Sequence, residues 1–124
     1  MADLGCGSGD LDKNAFWQYS QLMLPLTDLA TRALFVARAQ VLKAMAHPSR
    51  LFILDCLARR AHCVSELTEL VGADVSTVSK HLAVLRGSGI VYDEKRGQQV
   101  WYTLRTPCVL RFFDCVENVL RQRG

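Results

Sequence analysis

Cys63 stands where a helix would ordinarily begin with a hydroxyl. In "RAHCVSELTELV", residues 60–71, Glu66 follows it by three, the spacing of a capping box whose first member is normally Ser or Thr. A thiol at that place meets unpaired N–H groups and the positive end of the helix dipole. Both favour thiolate, the form that reacts or binds metal. His62 beside it could assist ionisation or act as a ligand itself. Cys6, Cys56, Cys108 and Cys115 complete a set of five cysteines. An odd number at irregular spacing argues against a disulfide framework and for reduced thiols. The chemistry open to them is ligation of soft metals or metalloids, which takes two or three sulfurs, or oxidation.

Cys108 and Cys115 lie seven apart in a stretch expected to be one helix, so both fall on one stripe with Phe112 and Val119. At 1.5 Å per residue they stand about 10 Å apart along the axis. That exceeds the limit of about 7 Å between Cα atoms for a disulfide, so within one straight helix they cannot bridge each other. They could meet the thiols of a second copy, or they could simply fill an interface stripe. Cys56 falls in an apolar helix, where a cysteine is usually core. Cys6 sits in a glycine-rich start that could reach across a dimer.

The elements that must position these groups read mainly as helix. Residues 1–13, with Gly5, Gly7 and Gly9, read as a flexible arm, and 14–124 as a single domain. A short amphipathic helix over 14–25 would be capped by Asn14 and ended by Pro25. Thr27 would cap a longer, alanine-rich helix through residue 46. Pro48 suits the first turn of a helix over 48–59, whose apolar residues point all round and imply central burial. Helices over 64–71, ended by Gly72, and 75–86, capped by Asp74, follow. The period then changes to strand, charged turn, strand, at 90–92 and 100–104, with Lys95, Arg96 and Gly97 at the tip. Thr106 and Pro107 open a last helix to residue 121. The fold expected is mainly α with a small β-hairpin, in the order α-α-α-α-β-β-α from the alanine-rich helix onward.

Two helices joined by a tight glycine-containing turn form a helix-turn-helix. On a helical wheel Val75, Val78, His81, Leu82 and Leu85 share one side of the second helix. Ser76, Ser79, Lys80, Ala83 and Arg86 share the other. A small, hydroxylic, basic face suits the edges of bases and the phosphates beside them. The hairpin tip adds Lys95 and Arg96 at phosphate reach, although Asp93 and Glu94 beside them also suit an ordinary solvated turn. His81 reads as a packing and hydrogen-bonding residue rather than a ligand.

The runs "LKAMAHPSRLFILDCL", "VSELTELVGADVSTVSKHLAVLRGSGIV" and "RGQQVWYTL" resemble the winged-helix repressors of the ArsR/SmtB family over about residues 40–105. The most specific part runs from Ser79 to Val91. The resemblance implies a winged helix-turn-helix repressor, homodimeric through its first and last helices. It implies double-stranded DNA as partner, at an imperfect palindrome, and release of that DNA by a metal, metalloid or thiol-reactive inducer. No cofactor would be required for DNA binding. By matched positions Ser76, Thr77, Ser79 and Lys80 would face the major groove.

The family's "C-V-C" reads "H-C-V-S" here, with Ser65 in place of the second thiol. An As(III) or Sb(III) site built on Cys63 would therefore need partners from elsewhere, with Cys108, Cys115 and Cys6 as the candidates, and Cys56 as a further one unless it is core. Thr106, Cys108, Val119 and Gln122 occupy the places of the family's zinc site on the last helix, so that site lacks its usual ligands. Cys56 is offset by one from the thiol that persulfide sensors of the family use, and Arg121 occupies the second place. A redox or reactive-sulfur switch is the alternative to a metalloid.

The net charge is +3, mild enough to permit polyanion partners without demanding them. No run approaches the roughly 18 apolar residues of a membrane span, and no basic segment precedes "QLMLPL", so the expectation is a cytoplasmic protein without a signal peptide. Enzymatic function is not expected. No phosphate-cradling glycine loop and no oriented Cys–His triad are legible.

Overall fold

The computed structural model describes residues 25–124. The expected arm at 1–13, with Cys6, and the expected helix up to residue 24 lie outside them. The chain divides into two compact units at Arg38 and Ala39, and the second carries every site considered below.

Helix α1 spans Leu29–Met45. Its cap is Asp28 rather than Thr27: the Asp28 carboxylate accepts from the Thr31 N–H at 2.9 Å. A carboxylate answers both the unpaired N–H and the positive end of the helix, which the Thr27 hydroxyl does only in part. Helix α2, Pro48–Arg59, begins on proline as expected and is capped by His47, whose Nδ1 accepts from the Ser49 N–H at 3.1 Å. Ile53, Leu54, Cys56 and Leu57 are buried. Phe52 remains 43% exposed, so α2 is central on one side only.

A two-residue strand β1, His62–Cys63, leads into α3, Val64–Val71. Gly72 closes α3 in the left-handed region at φ 78°, a conformation that L side chains rarely adopt. Helix α4, Val75–Ser88, ends on Gly89 at φ 87°. Strands β2, Val91–Arg96, and β3, Gln99–Leu104, pair antiparallel across a two-residue turn at Gly97 and Gln98. The sheet order is β1-β3-β2, with His62 opposite Tyr102 and Cys63 opposite Trp101.

The hairpin strands are longer than hydropathy alone indicates. Asp93 to Arg96 stay in the ladder because β3 satisfies their backbone groups, while Glu94, Lys95 and Arg96 are exposed, Asp93 is half-buried, and the four carry no apolar alternation. Strand β1 is too short to show a period at all.

The last helical stretch is broken. Pro107–Leu110 is a 3-10 turn, with the Val109 N–H on the Thr106 carbonyl at 3.1 Å, and α5 runs Arg111–Arg123. Cys108 and Cys115 therefore do not share one continuous α-helix, and the 100° wheel that placed them on a common stripe does not apply.

The core gathers Ile53, Leu54 and Leu57 of α2, Leu67 of α3, Val78, Leu82 and Leu85 of α4, and Val91, Tyr102 and Leu104 of the sheet. Each fully buried Leu, Ile or Val contributes about 1.5–3 kcal/mol relative to exposure. These contacts seat α4 by one face and leave the other to solvent.

Candidate nucleic-acid interface

The outward face of α4 is as the wheel predicts, with one exception. Ser76, Thr77, Ser79, Lys80, Ala83 and Arg86 are exposed, and Val78, Leu82 and Leu85 are fully buried. Val75 is 56% exposed rather than inward, because the first turn of α4 projects beyond the core that receives Val78.

The start of this face is pre-organised. Asp74 Oδ2 accepts from the Ser76 hydroxyl at 2.7 Å. Hydrogen bonds from the Thr77 side chain, and then from Ser76, hold the Asp74 carboxyl below the usual carboxylate range. Both hydroxyls are thereby oriented on the helix, with lone pairs left to accept.

One flank of α4 rests on a cluster that residue types alone did not reveal. Arg50 Nη1 donates to His81 Nδ1 at 3.2 Å, and the rings of His47 and His81 lie 4.4 Å apart. Burial, then the neighbouring His47 and Arg50, lowers the pKa of His81. His81 thus packs and accepts a hydrogen bond, as expected from its inward place.

At the other end Arg86 Nη1 donates to Asp93 Oδ2 at 2.9 Å and links α4 to β2. Arg96 pairs with Glu94 at 3.1 Å and lies 5.3 Å over the Trp101 ring. Among the described residues Lys80 and Lys95 have no carboxylate partner within 4 Å, so both are open to phosphate.

The thiols are dispersed. Cys63 is 4% exposed, lies 3.2 Å from Ser65 Oγ, and receives the reach-back of Glu66, which accepts from the Cys63 N–H at 3.3 Å. Ser65 in turn donates to Gln99 Oε1 at 3.4 Å. His62 is buried, and its Nδ1–H donates to the Arg60 carbonyl at 3.0 Å. Cys56 is core, and burial, followed by the charge of Asp55, pushes its thiol up. Cys108 and Cys115 are exposed free thiols. Among the described residues no three His, Cys, Asp or Glu side chains converge on one point. The described thiols of one chain do not form a trigonal sulfur site by themselves.

A helix-turn-helix with an exposed hydroxylic and basic second helix, followed by a hairpin with Lys95 and Arg96 near its tip, is the geometry of a DNA-binding winged helix. The sequence profile described as "Bacterial regulatory protein, arsR family" matches residues 47–93. The chain is 34% identical over 82 residues to the HTH-type transcriptional regulator YgaV of Escherichia coli (strain K12), covering 65% of this chain and 83% of that protein. The chain belongs to the ArsR family.

Two solved structures share this fold. The crystal structure of NolR from Sinorhizobium fredii is 30% identical, covers 78% of this chain and 96% of its own, and superposes with a TM-score of 0.69. Mb0332 from Mycobacterium bovis, described as a homodimeric winged helix-turn-helix DNA-binding domain, is 30% identical with a TM-score of 0.67, covering 77% of this chain and 89% of its own. This ArsR-family chain is accordingly a DNA-binding transcriptional regulator and not an enzyme by family. Among the described residues no helix is long and apolar enough to cross a membrane.

Proposed function

We propose that this protein is a homodimeric repressor that binds an imperfect DNA palindrome and is released from it by an inducer acting on its cysteines. The observation that carries the DNA reading is the exposed row Ser76, Thr77, Ser79 and Lys80 on a helix whose opposite face is fully buried. Such a helix can enter a major groove only as a rigid body, because its inner face is committed to the core. Lys95 and Arg96 reach phosphate beside it.

The homodimer reading rests on α5. Phe112, Val116, Val119 and Leu120 are 41–61% exposed on a helix otherwise rich in charge. Phe112, Val116 and Leu120 also line an open apolar groove of about 480 Å³ with Leu42, Met45 and Leu51. A second copy, as in the homodimeric relative, would cover this face and place two recognition helices about 34 Å apart on successive major grooves.

For the inducer, arsenite, antimonite or a thiophilic metal is the leading class. Because the described thiols of one chain do not converge, a sulfur site would draw on both subunits or on Cys6. The exposure of Cys108 and Cys115 favours a second reading, oxidation or reactive-sulfur chemistry, which needs one accessible thiol at a time. In either case the inducer favours a dimer that does not fit DNA, and DNA must weaken inducer binding by the same factor.

The test is fluorescence anisotropy of the fully reduced protein on its own upstream DNA, with arsenite titrated into the complex. Release at a few equivalents supports the metalloid, and Cys→Ser variants at 63, 108 and 115 then locate the site. Binding that ignores arsenite but is lost on mild oxidation selects the redox reading. No binding at low salt by a folded dimer removes the repressor reading itself.

A further inference from the structure

Two cations stand on the outward face of α4, and they are not equivalent. Lys80 has no carboxylate partner among the described residues. Arg86 is held by Asp93 of β2 at 2.9 Å, with the two side chains 51% and 32% exposed. Both ends of this pair are anchored. Arg86 follows the buried Leu85, and Asp93 lies two residues beyond the buried Val91, opposite Tyr102 in the ladder. Between them the chain turns at Gly89 and passes through Ile90, also buried.

Tyr102 reports the same neighbourhood. Burial raises its phenol, the charge of Asp93 raises it further, and Arg86 opposes both. The Arg96–Glu94 pair differs: its partners are two residues apart on one strand, and both side chains are more than half exposed. Such a local pair exchanges readily with solvent.

A guanidinium already neutralised by a fixed carboxylate releases no counterion when phosphate approaches. We propose that Asp93 is a positioning residue for DNA recognition, withholding Arg86 from the phosphate backbone and tying the hairpin to the end of α4. Operator affinity then rests on the residues facing the groove, Lys80 among them, and on Lys95 and Arg96 of the hairpin. Asp93 limits sequence-independent binding by removing one cation from the count. The proposal rests on the DNA-binding reading above.

The experiment is the salt dependence of binding to operator and to unrelated duplex, for the wild-type dimer, Arg86→Gln, Asp93→Asn and the double variant. Arg86→Gln is expected to leave the slope of log K against log salt unchanged. Asp93→Asn is expected to steepen it by about 0.9, the value of one added phosphate contact, and to lower the ratio of operator to unrelated-duplex affinity. That step enlarges the loss of affinity between 50 and 200 mM salt by about 3.5-fold. The double variant is expected to return to the wild-type slope.

A slope reduced by about 0.9 in Arg86→Gln would show Arg86 on a phosphate and overturn the proposal. Equal steepening by Asp93→Asn with and without Arg86 would reduce Asp93 to a through-space charge and overturn it as well. Near-ultraviolet circular dichroism verifies the fold of each variant. Should Asp93→Asn fail to fold, Arg86→Gln decides alone. A folded wild-type dimer without salt-dependent binding would fail the DNA reading itself, a result distinct from any change between variants.

Discussion

Lys80 and His81 are adjacent in sequence, yet α4 turns them to different tasks. Lys80 faces solvent without a carboxylate partner among the described residues, and each phosphate it neutralises contributes about 0.9 to the salt slope. Lys80→Ala is expected to weaken operator binding and to flatten that slope by about this amount, measured by anisotropy across a salt series. An unchanged slope would remove Lys80 from the interface. His81 turns toward Arg50 and His47, where burial and then these two neighbours depress its pKa below the ordinary 6.5. A histidine kept neutral when folded binds fewer protons than the unfolded chain. Its contribution to stability is therefore present above pH 6.5 and declines as pH falls from there toward the depressed folded value. Thermal melts are expected to show Tm dropping below pH 6.5, with the drop attenuated in His81→Gln; equal pH profiles would refute the assignment. Both roles follow from the wheel, but the Arg50 contact spans 31 positions and left no mark in residue spacing.

At the scale of elements, α4 is held by Val78, Leu82 and Leu85 and terminated by glycine. Leu82 is fully buried beside α2 and the sheet. Leu82→Ala is expected to destabilise the fold by about 2–5 kcal/mol in urea titration, the range for a Leu cavity in a packed core. Gly72 is different. A Cβ there meets nothing within 4 Å, so Gly72→Ala carries only the backbone penalty of the left-handed region, about 1–2 kcal/mol. A loss as large as that of Leu82→Ala would mean that the turn between α3 and α4 has changed shape. Period and punctuation made these helices legible: Pro48, Gly72 and Asp74 mark three boundaries, whereas α4 runs through Gly87 to Ser88, two residues past the expected end at 86. They failed where the deciding bonds come from elsewhere. Strand β1 exists only because β3 offers partners to His62 and Cys63. The break at Pro107–Leu110 follows i to i+3 bonding that a helical wheel does not anticipate.

For the whole molecule, the exposed apolar row of α5 is a feature that a lone chain leaves unexplained, and α1 carries exposed apolar residues as well. Val119 is 61% exposed and surrounded by Phe112, Val116 and Leu120 on one helix. Large contiguous apolar patches on soluble proteins mark association surfaces. Val119→Glu is expected to shift sedimentation toward monomer and to lose most of the affinity for a two-half-site operator while the helical circular dichroism is kept. A variant that remains dimeric would move the interface away from α5. The gain from dimerisation is geometric, since one molecule can then engage both half-sites without a new contact to DNA.

The amino-acid sequence by itself determined the order of the longer helices and the hairpin, the helix-turn-helix and its outward face, and the family, because each is written in local periodicity, capping residues and a contiguous run of types. The same local code carried the hairpin and its basic tip. Only the tertiary structure decided which charges remain available. It joined Arg86 to Asp93, Arg50 to His81 and Ser65 to Gln99, and it dispersed the thiols along the chain. The physical reason is range. Helix and turn preferences act over one to four residues, whereas a salt bridge, a buried histidine or a ligand set depends on which distant segments the core brings within about 4 Å.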